Sequence, residues 1–415
     1  MPPFSHGQRR RDTPVPPRVN QGLPNLTDPS MQSDHRRIAV ALAGFCAFIN
    51  LYSPQAVLPL LAQEFGVGAV EVGMTMTATT AAIALVAPFV GAAADVIGRK
   101  RVIVAAMLAL TVPTVGLAFA PSLDVIILCR FMQGLLLPPI FAVMVTYIGE
   151  EWPATQATGM TGVYLSAASL GGFLGRFITG IAADWFGWRS AFLIDAGIIL
   201  VCAAGVAAFL TPERRFVRAS NFAAALGQML HHLRNPQLLG TYAIGFGVLF
   251  SFIAVFTYVN FLLAAPPFNL SPSFLGSIFV VYLTGTVITP FVGRWVQRFG
   301  RRGLMLGVLM LWASGLALTL VPSLPVIITG LAIFAAAGFL CQTASTSYVA
   351  ISAKGGASTA VGLYVTSYYI GGSLGAVVGG IAWHIGSWPA VVAMVATMLG
   401  LMALIVARVW KQQPL

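Results

Sequence analysis

Acidic residues are scarce in this chain, and none follows Glu213. Asp and Glu number 12 against 23 Lys and Arg, and charged residues are only 8% of 415 positions. That is too little charge to cover the surface of a soluble domain of this length. Cysteine is scarce too: Cys46, Cys129, Cys202 and Cys341 sit in apolar runs with no metal-ligand spacing, which argues against a zinc cluster and carries no redox information. His231-His232 has no further ligand near it in sequence and reads as a polar helix face. No nucleophile, acid/base pair or metal cluster has spacing suited to catalysis, so an enzyme is not expected. Residues 1–36 are polar, with no apolar core of a signal sequence, and read as a disordered cytoplasmic tail in which Met31 is a second candidate start.

What is abundant is apolar. Hydrophobic residues make up 58%, with 43 glycines and 25 prolines, a mixture suited to packed, interrupted membrane helices. In lipid a backbone must satisfy its own hydrogen bonds, so each long apolar run is expected to be helical. Twelve such runs are predicted, roughly at 37–62, 72–93, 101–120, 124–148, 158–181, 190–211, 238–263, 273–296, 303–321, 324–349, 360–382 and 387–409. Residues 37–211 and 238–410 then form two six-helix bundles. The connection 212–237 carries an amphipathic cytoplasmic helix with Phe222, Leu226, Met229, Leu230 and Leu233 on one face, and 411–415 is a cytoplasmic tail.

The net charge of +11 is a matter of topology, and no nucleic-acid partner is expected. Arg99-Lys100-Arg101, Arg214-Arg215, Arg218, Arg234, Arg294, Arg298, Arg301-Arg302 and Lys354 fall in loops on one side. Glu64, Glu71, Asp124 and Asp184 fall on the other, with Arg189 as the only base. Basic loops stay cytoplasmic, which places both termini inside.

The two bundles are copies. Gly162–Trp188 recurs as Gly362–Trp388 at an offset of 200 residues, and Gly91–Lys100 is echoed by Gly293–Arg302. Parallel repeats in a membrane chain point to a transporter built as two halves around a central pathway. The glycines of the long repeat predict close packing of the fifth and eleventh helices across the junction between halves. The copies differ in charge: Arg176 becomes Ala376, Asp184 becomes His384 and Asp95 becomes Gln297. Arg130, Arg176 and Asp195 fall at similar depth, and Asp195 is expected to compensate one or both arginines. Glu150 and Glu151 are expected to pair with the basic loop at 99–101.

The loop Gly91-Ala-Ala-Ala-Asp95-Val-Ile-Gly98-Arg99-Lys100-Arg101 resembles the signature of the major facilitator superfamily, departing from it at Val96. Arg130-Phe-Met-Gln133-Gly134 is similar to the superfamily's Arg-x-x-Gln-Gly motif. Tyr52-x-x-Gln55-x-x-Leu-Pro59, Gly172-x-x-Gly175-Arg176 and Pro212-Glu213-Arg-Arg-Phe216 resemble its bacterial acriflavine-sensitivity branch. The resemblance covers nearly all of residues 37–410. It implies an all-α membrane protein with the twelve-helix major facilitator fold.

The same resemblance implies a conformational latch at Gly91, Asp95, Gly98, Arg99, Lys100, Arg101 and Glu150, with a weaker copy at Gly293, Gly300, Arg301 and Arg302. It implies proton coupling through Arg130, Gln133 and Gly134, with Arg176 and Asp195 as further candidates. It also implies a path lined by the first, fourth, seventh and tenth helices. On these lie Asn50, Tyr52, Gln55, Gln133, Ser251, Tyr258, Asn260, Gln342, Thr343 and Ser345, about half of which are expected to face water.

The expected protein is a monomeric antiporter of the bacterial inner membrane that moves an amphipathic drug or metabolite out as protons enter, with no cofactor. An importer of a sugar-like or organic-acid solute and a membrane sensor are the alternatives.

Overall fold

The computed structural model describes residues 29–213, 230–353 and 357–410, and every regular element among them is helical. In chain order these are α1 (Pro29–Tyr52), a 3₁₀ turn (Ser53–Val57), α2 (Leu58–Phe65), α3 (Ala69–Ile97), α4 (Arg99–Ala118), α5 (Leu123–Glu151), α6 (Ala154–Phe186) and α7 (Trp188–Phe209). The second half has α8 (Pro236–Ala264), α9 (Pro272–Ile278), a 3₁₀ turn (Phe279–Tyr282), α10 (Leu283–Ile288), another 3₁₀ turn (Thr289–Phe291), α11 (Val292–Leu318), α12 (Leu324–Ser352) and α13 (Ala357–Val409). The N-terminal tail before residue 29, Arg214, Arg215, Arg218, Lys354, residues 411–415 and the expected surface helix with Phe222, Leu226 and Met229 lie outside the described residues.

Ten helical stretches are long and apolar enough to cross a membrane. Two of them, Pro272–Leu318 and Thr359–Val409, are 47 and 51 residues long, where one span needs about 20. Each turns back on itself, the first at Gly300 (φ 68°) and the second at Gly386–Ser387 (Ser387 φ 51°). Counting each as two gives the twelve spans expected from the sequence.

The repeat is reproduced in the backbone. Gly98 (φ 102°) between the second and third spans matches Gly300 between the eighth and ninth. Gly187 (φ 81°) between the fifth and sixth matches Ser387 between the eleventh and twelfth. At Gly98 a side chain would be strained and would also collide with Glu213, whose carboxylate lies 2.5 Å from where a Cβ would sit.

Within the first half α1 packs on α6 and α7, and α5 on α3 and α4; within the second, α8 packs on α13, and α11 on α12 and α13. The halves meet where α3 lies against α13 and α6 against α9. The glycine pattern does the expected job only in part: Gly180 and Gly380 face the opposite half, and the others do not. Gly171 and Gly175 face the backbone of Phe45 and Ile49 on α1, and Gly371 and Gly375 face that of Phe246 and Phe250 on α8. They close each half internally, because a Cβ there would meet carbonyl oxygens at 2.1 to 2.6 Å. The crossing of α6 with α9 pairs Gly180 of the repeat, which abuts the Pro272 carbonyl, with Gly276, which abuts the Arg176 carbonyl.

Candidate functional site

The first span is continuous in hydropathy but broken in structure. Pro54 and Pro59 cannot supply the amide bonds of a regular helix, and α1 gives way to a fully buried 3₁₀ turn at Ser53–Val57. The eighth span is interrupted at the corresponding depth by Phe279–Tyr282. These two breaks carry the side chains that meet the buried charges.

Arg130 on α5 is 0% exposed. Its Nη1 donates to the Asn50 carbonyl (3.0 Å) and to Gln133 Oε1 (2.6 Å), and its Nη2 donates to the Leu51 carbonyl (2.7 Å). Gln133 Nε2 and Asn50 Nδ2 both donate to Thr114 Oγ1, at 2.9 and 3.0 Å. Hydrogen bonds from a charged donor contribute about 1.5–3 kcal/mol each, so three offset the several kcal/mol that burial of an ion costs. Gly134 admits this packing: a Cβ on it would sit 2.3 Å from the Thr79 carbonyl oxygen.

Arg176 on α6 is also 0% exposed. Its Nε and Nη2 both donate to Gln55 Oε1, at 2.8 and 2.6 Å, its Nη1 donates to the Gly172 carbonyl (2.6 Å), and Tyr282 Oη lies 3.5 Å from Nη2. Three rings cover the guanidinium, with centroids at 4.2 Å (Tyr52), 4.2 Å (Phe279) and 4.6 Å (Tyr282). Desolvated cation–π contacts contribute about 2 kcal/mol. Gln55 in turn donates to Thr257 on α8 (3.3 Å), so the group spans both halves.

Asp195 on α7 is 1% exposed and does not pair with either arginine. Among the described residues the ion pairs are Arg36–Glu151, Arg99–Glu150 and Arg189–Glu64. Asp195 Oδ2 instead accepts from Ser53 (3.0 Å), and Oδ1 has no partner. Asp195 was expected to compensate one or both arginines, and no direct ion pair does so. The arginines are held by carbonyls, amide oxygens and rings, with Arg130 Nε left without a hydrogen-bond partner among the described residues, and the carboxylate goes to the hydroxyl at the break in the first span. Arg130 and Asp195 still act on each other through space.

Of the ten expected path residues, Tyr52, Gln342 and Thr343 are half-buried and the other seven are buried. Fewer face open space than expected, because most are spent on packing: Tyr258 donates to the Ala376 carbonyl (2.7 Å), Asn260 to the Phe256 carbonyl (2.7 Å), and Ser345 shares a hydrogen bond with Tyr364 (2.8 Å). Ser251 is fully buried as well. Aromatic rings line the junction instead. Phe48 lies 6.2 Å from Tyr52 and 6.4 Å from Phe141, and Phe141 stacks across the halves on Tyr369 at 5.8 Å. The sequence reading missed Phe48, Phe141, Phe279, Tyr282, Tyr368 and Tyr369. A signal existed for two of them: Tyr368-Tyr369 replaces the small pair Ala168-Ser169 between the matched Tyr364 and Gly371-Gly372 of the repeat.

At the basic end, Arg99 Nε and Nη2 donate to the Glu150 carboxylate at 2.6 and 2.5 Å. The backbone amides of Arg99 and Lys100 point at the Glu213 carboxylate, at 2.9 and 3.4 Å. Glu150 belongs to the first half, and Glu213 to the start of the connection between the halves. Glu150 thus makes the expected pairing with the 99–101 loop, and Glu151 pairs with Arg36 (3.6 Å). Arg301 reaches Ser347 at 3.5 Å within the second half. The Asp95 side chain lies outside the described residues.

Two matched helical halves, meeting at broken spans around buried charge, define a secondary transporter fold. The chain belongs to the Major Facilitator Superfamily, whose family model matches residues 40–265 and 244–414. It is 33% identical over 385 residues to the inner membrane transport protein YnfM of Escherichia coli, covering 91% of each chain. It is 30% identical to the uncharacterized MFS-type transporter YybF of Bacillus subtilis, covering 88% of this chain and 91% of that one. An uncharacterized transporter of Buchnera aphidicola (subsp. Schizaphis graminum) is 31% identical, covering 85% of each. Among solved structures, the nucleoside transporter NupG superposes with a TM-score of 0.78 at 12% identity, covering 90% of this chain and all of that one. A bacterial homologue of the lysosomal transporter Spinster, inward-facing and unoccupied, gives 0.68 at 16% identity, covering 92% and 95%. The protein is thus a multi-pass membrane transporter.

Proposed function

We propose that this transporter exports an amphipathic small molecule in exchange for protons, working as a monomer in the bacterial inner membrane with both termini cytoplasmic. The observation that carries the coupling is Asp195. Among the described residues it is the one carboxylate buried away from both ends of the bundle, and its Oδ1 is free to hold a proton. Ser53 ties it to the break in the first span, beside the carbonyls of Asn50 and Leu51 that hold Arg130. A change of protonation at Asp195 therefore acts on the segment that also presents Gln55 to the second half.

Alternating access supplies the cycle, with the halves rocking about the centre. Among the described residues, hydrogen bonds between halves lie at the acidic end or in the middle: Asp184 accepts from Ser271 and Ser273, Arg176 reaches Tyr282, Gln55 reaches Thr257, and Thr77 and Ser373 bond each other's carbonyls. With the basic end cytoplasmic, this is a molecule closed to the outside. Export is tested as uptake by energised everted vesicles to which a fluorescent amphiphile is added from outside. A protonophore is expected to abolish uptake, and Asp195→Asn to remove its pH dependence while the protein still inserts. Full pH-dependent transport by Asp195→Asn would end the coupling reading, and uptake indifferent to the gradient would end antiport.

A further inference from the structure

Arg176 is a buried cation whose partners are all neutral. Its bonds go to an amide oxygen, a carbonyl and a phenol, and no carboxylate lies within 4.0 Å of it among the described residues. The facing half cannot supply one, since no Asp or Glu follows Glu213 anywhere in the sequence. Nor is the charge part of the duplicated architecture, because the matched position is Ala376, against which Tyr258 packs without difficulty. An unneutralised cation kept at the junction of the two halves, where two broken spans converge, is placed as a ligand site is placed in transporters built from repeats.

We infer that Arg176 and its aromatic surround form a headgroup site for a carboxylate-bearing aromatic or alkyl cargo, so that the transported amphiphile is an anion. The inference rests on the transporter reading above and narrows its substrate. Tyr52 is the movable part. It is half-buried, its hydroxyl makes no hydrogen bond among the described residues, and its ring is held by contacts alone. Gly172 leaves room beside it: a Cβ there would lie 3.6 Å from the Tyr52 ring and 3.7 Å from Arg176 Nη1. A swing of Tyr52 uncovers one face of the guanidinium, and a flat body can stack there on the rings. A carboxylate can take the end-on Nη1 and Nη2 hydrogens, in place of the long Tyr282 contact, because Gln55 holds the Nε side and Gly172 only one Nη1 hydrogen. A cationic cargo would meet the Arg176 charge with no carboxylate within 4.0 Å of it among the described residues.

The test uses purified full-length protein in detergent and three isosteric probes: naphthalene-2-carboxylate, naphthalene-2-carboxamide and naphthalen-2-ylmethylammonium. The carboxylate is expected to raise the unfolding midpoint and to bind about tenfold or more tightly than the other two. Arg176→Gln is expected to erase that difference and Arg176→Lys to retain part of it. Equal or tighter binding of the ammonium, no binding by any probe, or an unchanged carboxylate preference in Arg176→Gln each overturns the inference. The charge series on the unaltered protein decides the matter even where Arg176→Gln fails to fold. No gradient is needed, so a failure of proton coupling leaves this measurement unchanged, and a failure here leaves the vesicle result standing.

Discussion

Arg130 and Arg176 solve the same problem differently. Arg130 is held at both Nη atoms by the carbonyls of Asn50 and Leu51 and by Gln133 on its own helix, all within the first half, with Nε left unpartnered among the described residues. Arg176 depends on Gln55, which also binds the second half, and on rings contributed by both. The first arrangement is static and the second changes when the halves move. Arg130→Lys is accordingly expected to hurt more than its conserved charge suggests, since a single ammonium cannot reproduce the forked contacts to both carbonyls and Gln133; thermal denaturation in detergent should show a loss of about 2 kcal/mol or more. Gly134→Ala isolates the packing beneath it. Its Cβ would sit 2.3 Å from the Thr79 carbonyl oxygen, whereas one at Gly162 meets nothing within 4 Å. Gly134→Ala should cost about 1–3 kcal/mol and Gly162→Ala close to nothing, and equal midpoints for the two would contradict the close approach.

At the level of helices, the repeat was legible because shared glycines leave a period of 200 residues in the sequence. Their purpose was not. Sequence spacing shows that Gly171 and Gly175 lie on one helical face, but which neighbour that face meets depends on tertiary packing, and α1 occupies it rather than the opposite half. The two breaks were hidden for a related reason. The eighth span has no proline within Phe279–Tyr282, and the prolines of the first span lie in an apolar run that hydropathy reads as continuous. Hydropathy reports burial in lipid, and a 3₁₀ turn packed between helices is as apolar as an α-helix. The internal role of the glycines has a symmetric consequence. A Cβ at Gly175 would lie 2.6 Å from the Ile49 carbonyl oxygen, and one at Gly375 2.4 Å from that of Phe250. Gly175→Ala and Gly375→Ala should therefore lower the melting midpoint by similar amounts, and a large effect in only one half would show that the halves do not pack alike.

For the whole molecule, the question is what holds the acidic end shut. Charge placement was readable from the sequence. That Asp184 bridges the halves was not, because its partners Ser271 and Ser273 sit at the start of α9, where nothing in the repeat marks them. The carboxylate accepts the Ser271 hydroxyl at 2.8 Å and the Ser273 amide at 2.9 Å, in the exposed rim of the junction. The second copy carries His384 in its place, so the device exists once. Bonds to a charged acceptor of this kind contribute about 1.5–3 kcal/mol, less at an exposed rim. Even the lower figure shifts a two-state equilibrium about tenfold. Asp184→Ala should then populate a form open at this end. Trp185 and Phe274 are exposed on α6 and α9, and spin labels at Trp185→Cys and Phe274→Cys report the gap between halves directly. The expected result in Asp184→Ala is a second, longer distance that is minor in the parent. A distance distribution identical to the parent's would mean that the glycine crossing of Gly180 and Gly276, rather than the carboxylate, sets the closed state.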